Sequence, residues 1–392
     1  MFDVFAFLFW FSVGTIVYSY AGFFLVLVLA GWLRNRRVNK QPVTPLASLI
    51  IAAYNEEKSI AKKIENSLEL DYPPGLLEII VTSDGSGDRT AEIVREYAGR
   101  GVKLLDCPRR GKIFALKDAV AHARGEILVF SDANTLYHPQ AIRKLAQNFA
   151  DPQVGGVCGN QLHIKHLERE KQDNVSQGEM LYWGYDKWLK KIETLTGSIV
   201  AADGAIYAIR RELFRMPPVT AVTDDFAIST AVVEQGYRLV FDAEALAYEK
   251  PMAKAEQEFN RKVRIMNRGL RGVLMRKQLL NPFRYGFYSL TLFSHKVLRR
   301  LVPFFLILLF ISSAFLSGQN LFYLTAFAAQ AGFYALAGLS YLLRKTALGR
   351  WKIFYIPFFY CLANAAAMVA ILNLLRGKQV VLWNPERQGA NL

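Results

Sequence analysis

The chain is poor in cysteine and histidine, with three of one and five of the other among 392 residues. Cys107, Cys158 and Cys361 show neither a paired nor a metal-ligand spacing. That excludes a disulfide scaffold and a cysteine-based zinc site, and agrees with a reducing compartment. His163 and His166, in HIKH, have a metal-like spacing but no carboxylate beside them, so they read as surface residues. Neither G-x-G-x-x-G nor G-x-x-x-x-G-K-[ST] occurs, which argues against a dinucleotide enzyme and a P-loop NTPase. Negative charge is also scarce: 33 acidic residues face 48 Lys and Arg, a formal net charge of +15.

Apolar length is what the chain has in abundance. Its hydrophobic fraction of 52% is high for a purely soluble domain. Val4 to Leu33 carries no charge and exceeds the roughly 20 residues with which a helix crosses a bilayer. RNRRVNK follows it, whereas a signal peptide carries positive charge before a shorter apolar run; the segment reads as a retained anchor whose basic end is cytoplasmic. From Leu301 three more apolar runs follow: LVPFFLILLFISSAFL, LFYLTAFAAQAGFYALAGLSYLL and IFYIPFFYCLANAAAMVAILNLL. SHKVLRR and LRKTALGRWK place cytoplasm on both sides of the first two. The third is either a full crossing, which puts LRGKQVVLWNPERQG outside against its own charge, or a re-entrant or interfacial segment.

Many of the basic residues flank these runs or lie in RKVRIMNRGLRGVLMRKQ. Anionic membrane lipid and a phosphorylated substrate account for them better than nucleic acid does. The organisation expected is an N-terminal span with its basic flank (1–39), a soluble domain (40–275), an interfacial amphipathic segment (276–300), C-terminal spans (301–375) and a tail (376–392).

Within the soluble part, ASLIIAAY is a continuous apolar run suited to a buried parallel strand, with the helical KSIAKKIENSLEL after it. LLEIIV, VKLLD and EILVFS repeat the pattern, separated by TAEIVREYA and KIFALKDAVAHA, which predicts a doubly wound α/β sheet. Ligands bind such sheets beyond the carboxyl ends of the strands. Four polar clusters fall there: Tyr54, Asn55, Glu56 and Glu57; Asp84 and Asp88; Arg109 to Lys112; and Asp132. Any one of them reads equally as the cap of the next helix. Carboxylates at these ends suit ribose, base edges or a divalent cation that holds a diphosphate.

A-x-Y-N-E-E, S-D-G-S-x-D-x-T, R-x-G-K and D-A-N, in that order, resemble the family 2 glycosyltransferases of GT-A (Rossmann-like) fold. ADGAIYAIRREL, VTDDF and RKVR extend the resemblance over Ala47 to Gly272. With its apolar flanks the chain is similar to the membrane-embedded group that contains the cellulose, hyaluronan and poly-N-acetylglucosamine synthases.

The resemblance implies a role for each motif. Asp84 would recognise the uracil of a UDP-sugar, with Tyr54 and Glu56 lining the same pocket, while Asp88 and Thr90 cap the next helix. Asp132 would bind Mg2+ or Mn2+; Asn134, where the family has a second Asp, would be a neutral ligand, a supporting residue or a sugar contact. Lys112 would steady the diphosphate, or is a solvated lysine at a helix start. Asp203 and Gly204 would face the acceptor, Asp203 being equally a turn former. VTDDF maps onto T-E-D, making Asp225 the catalytic base beside Asp224; the stretch equally reads as a helix N-cap before FAISTAVVEQG, and both readings can hold. Arg264 would grip the diphosphate, with Arg261 and Ile265 in place of the family's Gln and Trp. The tail Trp383 to Arg387 resembles tails that lie near the active site.

The implied activity is inverting transfer from a UDP-sugar to a growing polysaccharide at a bacterial inner membrane. The alternative is single-sugar transfer to a lipid-linked acceptor, which Ile265 in place of Trp favours. Extrusion of a polymer would call for homo-oligomers or a secretion partner. A third reading, a non-catalytic nucleotide-sensing scaffold, fits poorly with Asp84, Asp132, Asp225 and Arg264 all being present.

Overall fold

The computed structural model describes residues 2–163, 174–218, 222–249, 255–343, 346, 348 and 351–378. They fall into two compact units, one drawn from the described residues within 1–29, 171–186 and 254–379, the other from those within 30–170 and 187–253.

The second unit is built on a mixed sheet. Its strands are β1 (Ala47–Ala53), β2 (Leu77–Asp84), β3 (Val102–Cys107), β4 (Ile127–Asp132), β5 (Leu136–Tyr137), β6 (Val154–His163), β7 (Tyr207–Arg210) and β8 (Arg238–Glu249). They lie in the order β3-β2-β1-β4-β7-β6-β8-β5. The four strands expected from apolar runs are there and parallel, β3 to β2 to β1 to β4. Every residue of β1 is buried, as befits a strand covered on both faces. The helices Ile60–Leu68, Thr90–Glu96 and Lys112–His122 fall in the connections, as predicted. Ile60, Ile64, Val94, Ile142 and Leu145 pack with Leu49, Ile51, Val81 and Val129 into one apolar cluster.

β7 runs antiparallel between β4 and β6. Its four residues are too few to announce a strand by alternation. Register then positions the chemistry. Ala52 pairs with Asp132 and Ala53 with Ser83, so β1, β2 and β4 end level with one another and deliver Tyr54, Asp84 and Asp132 to one edge of the sheet.

The first unit holds the apolar helices. Four helices among the described residues are long and apolar enough to cross a membrane: Phe2–Arg34, Phe287–Leu316, Leu321–Leu343 and Lys352–Leu375. The first two pack through aromatic rings, Phe5 on Phe315 with centroids 4.4 Å apart and Phe11 on Phe305 at 5.8 Å. Each contains a wide π turn, Tyr18–Gly22 and Phe293–Leu298, and the Tyr18 hydroxyl meets Ser294 Oγ at 3.0 Å.

Phe287 to Leu298 is continuous with the helix Phe287–Leu316, which is long and apolar enough to cross a membrane. The third C-terminal run is one continuous helix of 24 residues. The amphipathic helix Ala255–Met275 groups with this unit: Asn267 Nδ2 donates to the Ala370 carbonyl at 2.9 Å, and Lys262 Nζ lies 5.3 Å from the centre of the Phe359 ring.

Candidate active site

The loops after β1 and β2 are tied to each other by side chains accepting from backbone N–H groups. Asn55, in a left-handed conformation at φ 54°, accepts from Gly87 N at 2.7 Å, and its own N–H donates to Ser86 Oγ at 3.0 Å. Asp88 accepts from Glu57 N (3.2 Å) and Thr90 N (3.1 Å), and Thr90 Oγ1 accepts from Glu56 N at 2.7 Å. Asp88 accepts from the first N–H of the helix Thr90–Glu96, whereas Thr90 bonds to the β1 loop, so the two residues latch the loops together and Thr90 does not cap the helix. The Glu56 carboxylate accepts from Ser59 Oγ at the start of the next helix.

Asp84 closes the end of β2 and is 1% exposed. Its carboxylate accepts from Arg109 Nη1 at 2.5 Å, from Arg110 N at 2.9 Å and from Gly111 N at 2.9 and 3.0 Å. The Arg109 guanidinium lies over Tyr54, 3.3 Å from the ring centre. Gly85, at φ 66°, makes this possible: a Cβ there would come within 2.7 Å of Arg109 N. Only glycine combines that backbone angle with so close an approach.

Beside this turn stands a carboxylate cluster. Lys112, first residue of its helix, holds its ammonium 2.7 Å from Asp132 Oδ1 and 2.9 Å from Asp224 Oδ2, with 14% of its side chain exposed. Burial opposes that charge, but Asp132 and Asp224 outweigh it and raise the ammonium above its ordinary pKa. Asp224 and Asp225 open the helix Asp224–Glu234, where the exposed N–H groups favour anions. Asp225 Oδ1 accepts from Phe226 N at 2.7 Å. Burial and then the Asp224 charge push its carboxyl up to about 6.

Gly204 lies against both key acids. A Cβ placed on it would sit 3.6 Å from Asp132 Oδ2 and 3.7 Å from Asp225 Oδ2. Asp203 next to it is ion-paired with the buried Lys190, and its N–H points to Cys158 Sγ at 3.4 Å. Asn134 turns its amide to Glu249 Oε1 at 3.1 Å.

The donor set suits a cation that keeps other ligands. Among the described residues no group of three His, Cys, Asp or Glu converges on one point. Asp132, with 31% of its side chain exposed, offers an accessible carboxylate, already paired with an ammonium. One carboxylate completed by substrate phosphates is how Mg2+ is ordinarily held.

Residues 48–216 match the model described as glycosyl transferase family 2. This stretch is a family 2 glycosyltransferase domain. It contains Tyr54, Asp84, Lys112, Asp132, Asp203 and Gly204; Asp224 and Asp225 lie just beyond the match. The chain is 26% identical over 208 residues to a poly-beta-1,6-N-acetyl-D-glucosamine synthase of Staphylococcus epidermidis, covering 51% of this chain and 49% of that one. It is 29% identical over 184 residues to a beta-monoglucosyldiacylglycerol synthase of Trichormus variabilis, covering 46% and 38%. The chain thus spans half or less of the length of these relatives. Among solved structures, the mannosyltransferase PcManGT from Pyrobaculum calidifontis, in complex with GDP-Man and Mn2+, superposes with a TM-score of 0.68 at 22% identity, covering 95% of this chain and all of the other. The fold is GT-A.

In the glycosyltransferase domain, the residues expected from the motifs separate into groups. Tyr54 and Asp84 meet at Arg109; Lys112, Asp132 and Asp224 form one ion-paired group, and a Cβ on Gly204 would lie within van der Waals contact of both Asp132 and Asp225. Arg261 and Arg264 belong to the other unit, three residues apart on the helix Ala255–Met275 and therefore on one face of it. His166 and Trp383 to Arg387 lie outside the described residues.

Two buried residues carried no sequence signal. Tyr207, on β7, is 1% exposed, and its hydroxyl has no hydrogen-bond partner among the described residues. Burial, then the charges of Asp224, Asp225 and Asp132, raise that hydroxyl well above its ordinary pKa. Lys63 is fully buried, its ammonium 3.9 Å from the centre of the Tyr137 ring. Both sit in apolar runs or on an ordinary helix face, where nothing in the residue pattern marks them.

Proposed function

We propose that this protein is an inverting hexosyltransferase that moves a sugar from a UDP-sugar to a growing cell-surface or extracellular polysaccharide, with its glycosyltransferase domain on the cytoplasmic side of a bacterial inner membrane. The observation that carries this is the place beside Gly204, where an added Cβ would lie 3.6 Å from Asp132 Oδ2 and 3.7 Å from Asp225 Oδ2, so that the two carboxylates face one small space. The space between a cation-holding carboxylate and a proton-accepting one is where an anomeric carbon belongs.

Asp225 takes the proton of the acceptor hydroxyl while that oxygen bonds to the anomeric carbon and the bond to UDP breaks on the opposite face. An α-linked donor therefore yields a β-glycoside. A carboxyl poised near 6 is ionised at neutral pH yet basic enough to assist. Asp132, with Asn134 nearby in the loop, would hold Mg2+ or Mn2+ against the donor phosphates; the bound cation offsets charge on the departing diphosphate. Lys112 contributes a further positive charge, and Arg261 and Arg264 suit bidentate contacts to phosphate. Tyr54 and Asp84 organise the base end, and Asp203 and Gly204 line the acceptor side.

A second reading, transfer of one sugar to a lipid-linked acceptor, is favoured by Ile265. It stands where the polymerising enzymes have Trp, and it is 42% exposed, so no aromatic platform is offered there. The full chain in lipid nanodiscs, given radiolabelled UDP-sugars and Mn2+ beside Asp225→Asn, separates the two. Long products lost in the variant and with EDTA support polymerisation, whereas a single labelled sugar extractable with lipid supports the second reading. Absence of transfer from every donor would sink both.

A further inference from the structure

The donor site is filled by the chain's own cations, and both come from one tetrapeptide. Arg109 lays a planar guanidinium over Tyr54, 3.3 Å from the ring centre, and points an N–H at Asp84 from 2.5 Å. A nucleobase offers the same chemistry: a flat π surface with N–H donors on its edge. Three residues on, Lys112 places its ammonium 2.7 Å from Asp132 and 2.9 Å from Asp224, the position of charge that a divalent cation would take.

The two ends are mechanically joined. Asp84 binds not only Arg109 but also the backbone N–H groups of Arg110 and Gly111, at 2.9 to 3.0 Å. These are the two residues between Arg109 and Lys112. A group that takes over Asp84 from Arg109 therefore loosens the backbone that carries Lys112.

We propose that Arg109–Lys112 is an internal surrogate for the nucleotide and its metal, and that binding exchanges both cations outward as one unit. This rests on Asp132 as the cation-holding carboxylate and on Tyr54 and Asp84 as the base pocket. Lys112 cannot keep its full contact with Asp132 beside a divalent ion, because like charges on one carboxylate repel strongly at such distances. Once released it is free to meet the diphosphate. A base and a metal ion that never touch each other should then bind cooperatively, with the coupling running through the chain, and reciprocally.

Uridine tests this because it has no phosphate with which to ligate a metal. Mn2+ binding to the full-length protein in nanodiscs is read by electron paramagnetic resonance, without donor sugar, with and without uridine, and with guanosine in parallel. Uridine or guanosine is expected to raise Mn2+ affinity by about fivefold to tenfold, at the lower end of ordinary allosteric couplings. Lys112→Met should bind Mn2+ about tenfold tighter than the unaltered protein with no nucleoside present, and should lose the nucleoside effect. Unchanged Mn2+ affinity in Lys112→Met, or indifference of the unaltered protein to both nucleosides, overturns the surrogate. Asp132→Asn separates this from the underlying site assignment. If Mn2+ binding in the presence of UDP survives that substitution, the assignment of Asp132 fails; if it is lost while Lys112→Met behaves like the unaltered protein, the exchange alone fails.

Discussion

The ring of Tyr207 lies nearly flat against that of Phe130, with centroids 4.8 Å apart and planes 17° from parallel. Opposite register on β7 and β4 brings them onto one face of the sheet, and Phe130 and Asp132, two residues apart on β4, share that face. Stacking anchors the ring, while the hydroxyl has no hydrogen-bond partner among the described residues. Tyr207→Phe keeps the stack and removes the orphan. Thermal unfolding is expected to show stabilisation of about 1 kcal/mol, the lower end of the cost of an unsatisfied buried polar group. A lower Tm would show that the hydroxyl has a partner in the working protein.

As the proposed base, Asp225 would tie activity to pH. In that role its carboxyl has to be ionised to accept a proton, and it is pushed up to about 6. kcat/KM, which reports the free enzyme, should therefore be level above that pH and fall about tenfold per unit below it. Asp225→Asn should lower transfer by about a hundredfold or more while leaving UDP binding intact.

The same shift predicts a stability gain in that variant. Between about pH 4 and 6 the unfolded chain has Asp225 ionised and the folded chain has it protonated, so stability falls as pH rises through this window and stays lower above it. At pH 7.5 Asp225→Asn is expected to be more stable by on the order of 1–3 kcal/mol, since each pKa unit corresponds to about 1.4 kcal/mol. Denaturant titrations at pH 4 and 7.5 give the comparison; an equal difference at both would remove burial of the charge as its cause.

Gly204 separates space from stability. The distances of 3.6 and 3.7 Å to the two carboxylates are ordinary contacts for a methyl group. Gly204→Ala should unfold within about 0.5 kcal/mol of the unaltered protein. Yet it narrows the place proposed for the reacting sugar, and a displacement of about 1 Å there costs on the order of a hundredfold in rate. Unchanged transfer with a normal Tm would move the reaction centre elsewhere.

Lys63 is a fully buried amine whose neighbour is an aromatic ring. Burial drives its pKa down to about 7 from 10.5, the charge of Asp132 opposing. Below about pH 7 the ammonium is charged in both folded and unfolded chains and the folded state bears its desolvation. From pH 7 to about 10 the folded chain has shed the proton and the unfolded chain has not, so stability rises. Lys63→Met should flatten that rise and stabilise the domain at pH 6 by about 1–3 kcal/mol. A steep rise persisting in the variant would assign it to another group.

Much of this was legible because buried parallel strands are written as unbroken apolar runs. ASLIIAA and EIIV could be read off directly, and the polar residues after them fell at the strand ends. β5 and β7, of two and four residues, are too short to show alternation, so the antiparallel half of the sheet stayed hidden. The motifs named Asp84 and Arg109 but not their pairing, because they lie 25 residues apart and meet only through folding. Tyr207 escaped for the opposite reason: GAIYAI looks like core, and its ring is core, while the hydroxyl's surroundings arise from residues on other elements.

With Asp84 in the proposed base pocket, its burial bears on attempts to re-engineer donor preference. Its carboxylate is the fastening of a turn, holding two backbone N–H groups and a guanidinium at once. Replacing it to suit a different base would undo the turn before any new selectivity could form. Tyr54 and Arg109, whose ring and guanidinium lie 3.3 Å apart, are the positions at which a designer would first try to alter the choice of nucleotide in the proposed pocket.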